Sequence, residues 1–514
     1  MDKSGRRRDY QSVYLRRSFR EDGKVKHEQL ANLSALPEPA IGAIEAILKG
    51  TALVPAGDAV RIDSSLPHGH VAAAAAMAHR LGLPALLGPA CRQRDLAYAL
   101  ILSRALRPSP KLSTAAWWTD TTLGEDLDVT GAGTDEIYAA MDWLVDRQDH
   151  IEKQLAAQHL DPKVNPSRIA MFDLSSSWVT GRHCDLAARG YSRDGKKGRE
   201  QIEYGLLTDP AGRPVAVRVF PGNTADPAAF THAVTAVKDT FALENMLMVG
   251  DRGMITSARI TALKELGGLG WVTALRAPQI AALAADDGPL QMSLFDTQNF
   301  AEISHPDYPG ERLIVCRNPA LADERARKRT ELLNATETAE AALDGIYTLR
   351  TTATPDELDT AAVIDAYKNL SRVERDFRSL KAIDLDLRPI HHRLTDRVKA
   401  HVLICMLAAY LTWHLRKEWA PLTYTDENPP HRDDPVAPAA RSAAANSKAA
   451  RKTTTDGDLP ARAYQDLLAH LATLTRNQVH FTGLDTTVPM LAEPTDTQRR
   501  AFELLDTTVP LTIT

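Results

Sequence analysis

The chain has 514 residues, of which 44% are hydrophobic and 25% charged. This composition is typical of globular protein and excludes collagen-like, disulfide-scaffold and wholly disordered chains. The four cysteines lie far apart without a C-x-x-C pair, so we expect a cytoplasmic protein without cysteine-ligated zinc. The longest apolar stretch, 402–413, is shorter than the roughly 20 residues of a membrane span, so no membrane segment is expected.

Positive charge is concentrated in three islands, although the formal net charge is −5. Residues 1–27 carry nine Lys and Arg against four Asp and Glu, residues 182–200 carry six against three, and residues 366–401 carry nine against five. One such island is usually solvated surface, whereas three together are compatible with local contacts to nucleic acid.

The first 160 residues are predicted to be mainly helical. An amphipathic stretch covers 36–48, two helices are expected within 71–108, and apolar residues at helical spacing predict another helix over 135–155.

The pattern changes to alternating strands and helices after residue 165. Short apolar runs predict strands at 169–173, 202–206, 215–219, 246–251 and 271–275, and helices are expected at 227–241 and 257–266. In this order the first and fourth strands could lie side by side.

The rest of the chain is more heterogeneous. A hairpin is expected at 300–316, a charged helix at 320–342, a strand at 345–350, and helices at 360–388, 397–419 and 463–474. The Pro-, Asp-, Ala- and Ser-rich residues 425–460 are typical of a disordered linker.

Two acidic residues follow buried-type strands. Asp173 follows four apolar strand residues, and Asp251 comes just after the apolar run at 246–249. Such carboxylates are often strand-end caps, but two brought together would repel each other unless a divalent cation lay between them. Oxygen ligands without His or Cys favour Mg²⁺ or Mn²⁺.

A third carboxylate can come from the helix expected at 360–388. Glu374 borders the apolar stripe of that helix, and Tyr367 and Lys381 lie seven positions away on either side, hence on the same face. A solvated helix with i,i+4 charge pairs is the alternative interpretation of this segment alone.

These residues resemble the DDE transposases of bacterial insertion sequences, and most closely the IS four group and its relatives. Tyr367, Glu374 and Lys381 occupy three places of that group's Tyr-x2-Arg-x3-Glu-x6-Lys signature, and Leu370 stands in place of its arginine. The segments 186–194, 221–226, 250–253 and 388–392 are also similar to such transposases, and the resemblance covers roughly residues 10–425.

The resemblance implies an α/β fold with an RNase H-like catalytic core, a mixed five-stranded sheet with helices, interrupted by an insertion. It places the core in 165–276 and 351–424, the insertion in 277–350, and a helical region for binding DNA ends in 1–160. The tail, 461–514, has no assigned role.

The implied chemistry is metal-dependent cleavage at the element's ends and strand transfer into target DNA. Asp173, Asp251 and Glu374 would hold two Mg²⁺ or Mn²⁺ ions. The implied partners are double-stranded DNA, from terminal repeats and target, and a second copy of the chain as a homodimer on DNA; no nucleotide cofactor is expected. The residues expected to contact DNA are Arg252, Tyr367, Lys381, Arg193, Lys196, Lys197, Arg199 and Arg378.

Two alternatives stay open at this stage. The chain could be a catalytically inactive, transposon-derived DNA-binding protein, since the insertion is short, or a metal-dependent nuclease that cuts without joining. Convergence of the three carboxylates would separate the first alternative from an active enzyme.

Overall fold

The computed structural model describes residues 12–50, 60–285, 288–332, 343–454, 459–481 and 486–513. The chain forms two compact units, one comprising Met1–Ser65 and Asn477–Met490, the other Leu66–Arg476 and Leu491–Thr514. The expected N-terminal region 1–160 is therefore divided near residue 65, and its helical part belongs to the larger unit.

The smaller unit is built largely from strands, so the prediction that residues 1–160 are mainly helical is wrong here. Its elements are the strands β1 (Tyr14–Glu21), β2 (Lys24–Asn32), β3 (Val60–Pro67), β12 (Thr475–Phe481) and β13 (Thr486–Leu491), and the helix α1 (Glu38–Leu48). β1 and β2 form an antiparallel hairpin, and the other three form a sheet in the order β13-β12-β3. The hairpin is exposed on both faces, so it lacks the apolar alternation that predicts a strand.

Helices dominate residues 66–160, as predicted. They are α2 (Gly69–Arg80), α3 (Leu83–Leu87), α4 (Arg92–Leu106), α5 (Lys111–Thr119), α6 (Thr122–Asp126), α7 (Thr134–Val145) and α8 (Gln148–His159). The single helix expected over 135–155 is two helices, because the chain turns at Asp146 and Arg147.

An eight-stranded mixed sheet forms the centre of the larger unit. Its strands are β4 (Ile169–Trp178), β5 (Gln201–Thr208), β6 (Pro214–Pro221), β7 (Met246–Val249), β8 (Leu269–Ala274), β9 (Phe300–Ile303), β10 (Arg312–Arg317) and β11 (Ile346–Thr351). They lie in the order β6-β5-β4-β7-β8-β11-β10-β9. The expected five-stranded sheet is thus extended by three strands of the insertion, because β11 pairs antiparallel with β8.

The helices between these strands lie near their predicted positions. They are α9 (Asp226–Thr235), continued by a π-helical turn (Ala236–Thr240), α10 (Ser257–Leu266), α11 (Ala277–Leu283) and α12 (Pro319–Leu332), with a short 3₁₀ turn at Met292–Phe295. The expected continuation of α12 to residue 342 lies outside the described residues.

The C-terminal part of the larger unit supplies six further helices to the described structure. They are α13 (Thr360–Lys368), α14 (Leu370–Arg378), α15 (Thr395–Glu418), α16 (Ala443–Arg451), α17 (Tyr464–Ala472) and α18 (Asp496–Glu503). A π-helical turn (Ser379–Ile383) extends α14, and a 3₁₀ turn (Ala420–Leu422) follows α15. The helix predicted over 360–388 is therefore interrupted at Asn369 and ends early.

The long helix α15 is the apolar centre of the larger unit. It packs against α2, α4, α7 and strand β6, and its residues from Val402 to Ala408 are almost completely buried. At 24 residues it is long and apolar enough to cross a membrane, contrary to the expectation from 402–413, but 83% of its most apolar window is buried in the protein. Its burial is that of a core helix.

The expected disordered linker at 425–460 is wrong for most of its length. Ser442 caps α16 by accepting a hydrogen bond from the amide of Ala445, and Val436 is completely buried. Composition underestimates order here because the segment is fixed by contacts to distant parts of the chain, such as the 2.8 Å ion pair between Arg432 and Asp365.

Candidate active site

Strand register brings the first two predicted carboxylates to the same edge of the sheet. β4 and β7 are parallel neighbours, as the strand order predicts, and Met171 pairs with Val249. Asp173 and Asp251 each lie two residues further along, so they are placed opposite each other where β7 ends.

Asp173 is held on the central strand of the sheet. Its Oδ1 accepts a hydrogen bond of 2.8 Å from the amide of Leu174. The pKa of Asp173 is raised to about 7, mainly by burial and in smaller part by the negative charges of Asp251 and Glu374, while that hydrogen bond and Arg193 lower it. The carboxyl group thus lies where a neighbouring cation would stabilise its ionised form.

Asp251 opens the turn that follows β7. Its Oδ1 accepts hydrogen bonds from the amides of Gly253 at 2.9 Å and Met254 at 2.8 Å. Both hydrogen bonds use the same oxygen and fix the orientation of the exposed carboxylate. The Asp therefore serves as a turn former as well as a candidate ligand.

Glu374 reaches the same place from helix α14. The helix packs on β4 through its buried residues Val373 and Phe377, and the Phe377 ring lies 5.7 Å from that of Tyr204. Glu374 lies between these anchors in sequence and is exposed.

One open cleft of about 320 Å³ contains all three carboxylates and Tyr367 in its wall. The other lining residues are Asn318, Tyr347, Lys368, Leu370 and Ser371. Among the described residues, no three His, Cys, Asp or Glu side chains are already gathered closely enough to hold one metal ion. The carboxylates therefore share a cleft without forming a closed ligand set.

The donor chemistry of this cleft fits a hard divalent cation. Its three acidic side chains present only oxygen atoms, which Mg²⁺ and Mn²⁺ prefer. The negative charges of Asp251 and Glu374 raise the pKa of Asp173, and a cation bound between the carboxylates would counteract this repulsion. Asp173, Asp251 and Glu374 are the residues that could hold such an ion.

Tyr367 and Arg252 contribute groups that could face a phosphate. The pKa of Tyr367 is raised to about 12, mainly by burial and in smaller part by the charges of Asp251 and Glu374, while Arg252 lowers it. The phenol is therefore a neutral hydrogen-bond donor over the whole physiological range. Arg252 is exposed beside it.

Lys381 does not line the cleft, although its spacing from Glu374 predicts a common face. The π-helical turn at Ser379–Ile383 adds a residue to the helical turn and rotates Lys381 away from Glu374. Its Nζ instead donates to Oδ1 of the buried Asp194 at 2.8 Å, and Arg388 donates to the same oxygen at 2.7 Å.

The basic segment between β4 and β5 is held by contacts of its residues with the strands β4 and β5. The Arg193 amide donates to Oγ of Ser176, and its guanidinium lies 3.6 Å from Glu203. The Lys196 ammonium lies 5.6 Å from the centre of the Trp178 ring. The remaining predicted contact residues, Lys197, Arg199 and Arg378, are exposed.

Sequence reasoning misses four cleft residues, Asn318, Tyr347, Lys368 and Ser371, and one ion-pair partner, Arg388. Asn318 and Tyr347 belong to the insertion, whose strands reach the cleft only because they extend the sheet. Lys368 directly follows Tyr367 in the sequence, and this position next to a predicted site residue could have indicated that it lines the cleft. Arg388 could have been found within the basic island 366–401, but its pairing with Asp194 could not.

Comparison with known protein families gives two matches. The Transposase DDE domain matches residues 172–411, a span that contains all three carboxylates, and the IS1634 family transposase N-terminal domain matches residues 2–55. A comparison with curated proteins gives no match. The chain belongs to the DDE transposases of insertion sequences, enzymes that bind DNA and transfer its phosphoryl groups with the help of divalent metal.

Proposed function

We propose that Asp173, Asp251 and Glu374 are the catalytic carboxylates of this transposase. The observation that carries the proposal is that three separate elements, β4, the turn after β7 and α14, direct them to one cleft. If Asp173 and Asp251 were only strand-end caps, there would be no reason for Glu374 to lie on a helix that packs over β4, the strand of Asp173.

The proposed cofactor is a pair of Mg²⁺ or Mn²⁺ ions. Such ions lower the pKa of the attacking hydroxyl or water and stabilise charge on the leaving oxygen. The protein's part is to supply oxygen ligands from a rigid sheet edge and from α14. Because Asp251 already uses one oxygen for the turn amides, its orientation is fixed in advance.

The neighbouring groups are proposed to position the DNA backbone. Tyr367 donates a hydrogen bond to a phosphate oxygen without adding charge, and Arg252 adds a charge-assisted contact. Arg193, Lys196, Lys197, Arg199 and Arg378 would contact phosphates further from the reacting one. Lys381 would act by holding this basic segment in place through Asp194.

The core is proposed to be RNase H-like. Numbered from β4, the strand order β6-β5-β4-β7-β8 reads 3-2-1-4-5 with the first and fourth strands parallel, which supports this assignment. Residues 165–276 and 351–424 would form the core and 277–350 the insertion. We further propose that the enzyme works as a homodimer on paired element ends, associated with the nucleoid.

The ligand role is tested by metal binding in parallel with strand cleavage. Asp173→Asn and Glu374→Gln keep the side-chain size but remove the charge, and each should lose Mn²⁺ binding by titration calorimetry together with cleavage of the element's end. Asp239→Asn, an exposed aspartate on the π-helical turn after α9, is the matched control and should keep both. Cleavage retained by either cleft variant would remove that residue from the site.

A further inference from the structure

The hairpin β1–β2 presents two chemically different faces. Side chains alternate along a strand, and the register pairs Arg16 with Gln29, Ser18 with His27 and Arg20 with Val25. These six residues form what we call the Arg16 face. The opposite face, called the Lys26 face, consists of Arg17, Phe19, Glu21, Lys24, Lys26 and Glu28.

Charge is distributed unequally between the two faces. The Lys26 face neutralises much of its own charge, because Arg17 pairs with Glu28 at 3.1 Å and Lys26 pairs with Glu21. The Arg16 face contains no carboxylate, and within the described residues no acidic side chain forms an ion pair with Arg16 or Arg20. Both arginines are exposed.

The hairpin is rigid enough to enter a groove as a preformed ribbon. Asp22 and Gly23 form its two-residue turn with φ angles of 52° and 75°, the left-handed backbone that matches the twist of a tight hairpin. The one irregularity of the register lies between Leu15 and Arg16, outside the segment that carries the Arg16 face. Alternation is therefore continuous from Arg16 to Arg20.

The spacing of the Arg16 face matches the repeat of duplex DNA. Arg16 and Arg20 lie four residues apart on one strand, hence about 13 Å apart. Four base-pair steps of about 3.4 Å cover the same distance. The major groove, about 12 Å wide, admits a two-stranded ribbon, and arginine and glutamine are the side chains that pair in bidentate fashion with guanine and adenine there.

We propose that the Arg16 face of this hairpin lies in the major groove of the element's terminal repeats and reads their sequence. Arg16, Arg20 and Gln29 make the base contacts, and the Ser18–His27 pair, joined by a 2.8 Å hydrogen bond, lies between them. A protein partner fits less well, because Val25 is the single large apolar residue of this face and interface cores are depleted of charge. The inference rests on the transposase function for its substrate, DNA ends, but not on the proposed catalytic residues.

The test compares two double variants that each remove two positive charges, in the full chain. Arg16→Ala/Arg20→Ala alters the Arg16 face, and Lys24→Ala/Lys26→Ala is the matched control on the Lys26 face. Affinity is measured by fluorescence anisotropy, at one salt concentration, for a duplex flanking the protein's own coding sequence and for a scrambled duplex. The ratio of the two affinities measures sequence recognition.

In the Arg16→Ala/Arg20→Ala variant we expect this ratio to fall at least about tenfold. The Lys24→Ala/Lys26→Ala variant should bind both duplexes more weakly and keep the ratio. Arg16→Lys/Arg20→Lys, which keeps the charge but not the planar fork, should also lose the ratio while keeping affinity for scrambled DNA. Because guanine N7 lies in the major groove, methylation protection of guanines in the wild-type complex should disappear in the arginine variant.

Several results would overturn the inference. The first two are an equal loss of the affinity ratio in both alanine variants and an unchanged ratio in the arginine-to-alanine variant. The third is a changed oligomeric state of the arginine-to-alanine variant with unchanged DNA affinity, which would assign the face to a protein contact. A wild-type chain that does not distinguish the two duplexes would overturn it as well. The catalytic proposal would survive that last result, because an Asp251→Asn variant tests cleavage independently of recognition.

Discussion

Asp194 is a buried carboxylate that links the basic segment after β4 to the π-helical turn that extends α14. Its side chain is 2% exposed, and its Oδ1 accepts from both Lys381 and Arg388. Removing one member of such a cluster leaves the other charges buried without compensation. The signature position Lys381 is thus paired with Asp194, and we propose that it acts as a positioning residue.

We expect Asp194→Asn to destabilise the protein by about 3 kcal/mol and to weaken binding of the basic segment to DNA. The free energy of unfolding is measured by urea titration, and DNA affinity is measured in parallel. Asp185→Asn, in the same segment but exposed, is the control. A fully stable Asp194→Asn variant with normal DNA affinity would show that the cluster does not position this segment.

A buried lysine makes the stability of the larger unit depend on pH. Lys111, at the start of α5, is buried, and its Nζ lies 3.1 Å from Nδ1 of His401 on α15. The pKa of Lys111 is lowered to about 7, mainly by burial and in smaller part by the charge of Arg104, while Cys405 raises it. Between pH 7 and the ordinary lysine pKa the unfolded chain binds more protons, so the free-energy cost of burying this group decreases as pH rises.

Lys111→Met should therefore stabilise the chain most at low pH. At pH 6 we expect a gain of about 1 to 2 kcal/mol in the free energy of unfolding, reduced by the hydrogen bond that His401 loses. The gain should decrease steadily as pH rises from 7 towards 10. Urea titrations of wild type and variant at several pH values measure the difference, and a difference independent of pH would contradict the buried-charge account.

At the scale of single elements, the order of the strands predicts which side chains meet in the cleft better than the spacing of residues along a helix does. Asp173 and Asp251 can be found because a parallel β4–β7 pair follows from the order of strands and helices, and parallel strands end at one edge. Lys381 cannot be placed, because the π-helical turn at 379–383 is set by packing and leaves no mark in hydrophobic periodicity. The insertion residues Asn318 and Tyr347 depend on the pairing of β11 with β8, a contact distant in sequence.

The segment 426–442, which we call the strap, is hydrogen-bonded to Lys368 at the end of α13. The Nζ of Lys368 donates to the carbonyl oxygens of Pro435, Val436 and Ala437 at 2.6, 2.5 and 3.1 Å. Lys368 also lines the cleft that contains the three carboxylates. The strap therefore fixes one wall of this cleft, and it is held by Lys368 together with the buried Val436 and the ion pair between Arg432 and Asp365.

Lys368→Met should loosen the strap, because the carbonyl groups of Pro435 and Val436 lose their donor and that of Ala437 keeps only Arg432. Limited trypsin digestion at Arg432 and Arg441 should become several-fold faster, while the rest of the chain keeps its resistance. Lys399→Met, which removes one lysine from the exposed surface of α15, controls for the lost cleavage site. Unchanged digestion at both arginines would show that Lys368 does not hold the segment.

At the scale of the whole molecule, the catalytic unit is the part that the sequence describes well. Its inner strands are buried on both faces, as in β5 and β7, so the sequence marks them by short apolar runs between turns. The hairpin β1–β2 and the segment 425–460 are missed for opposite physical reasons: the hairpin buries neither face, and the segment gains its order from distant contacts. The family matches cover both the three carboxylates of the cleft and this hairpin.

The most direct test of the account is strand cleavage of DNA carrying the element's own ends. Wild type and Asp251→Asn are compared with Mg²⁺ or Mn²⁺ and with EDTA; Asn keeps an acceptor for the amides of Gly253 and Met254 and removes the charge. We predict metal-dependent nicking at the ends by wild type, its loss with EDTA, and a loss of at least about a hundredfold in the variant with DNA binding intact. Cleavage by Asp251→Asn at the wild-type rate would contradict the assignment of this cleft as the active site.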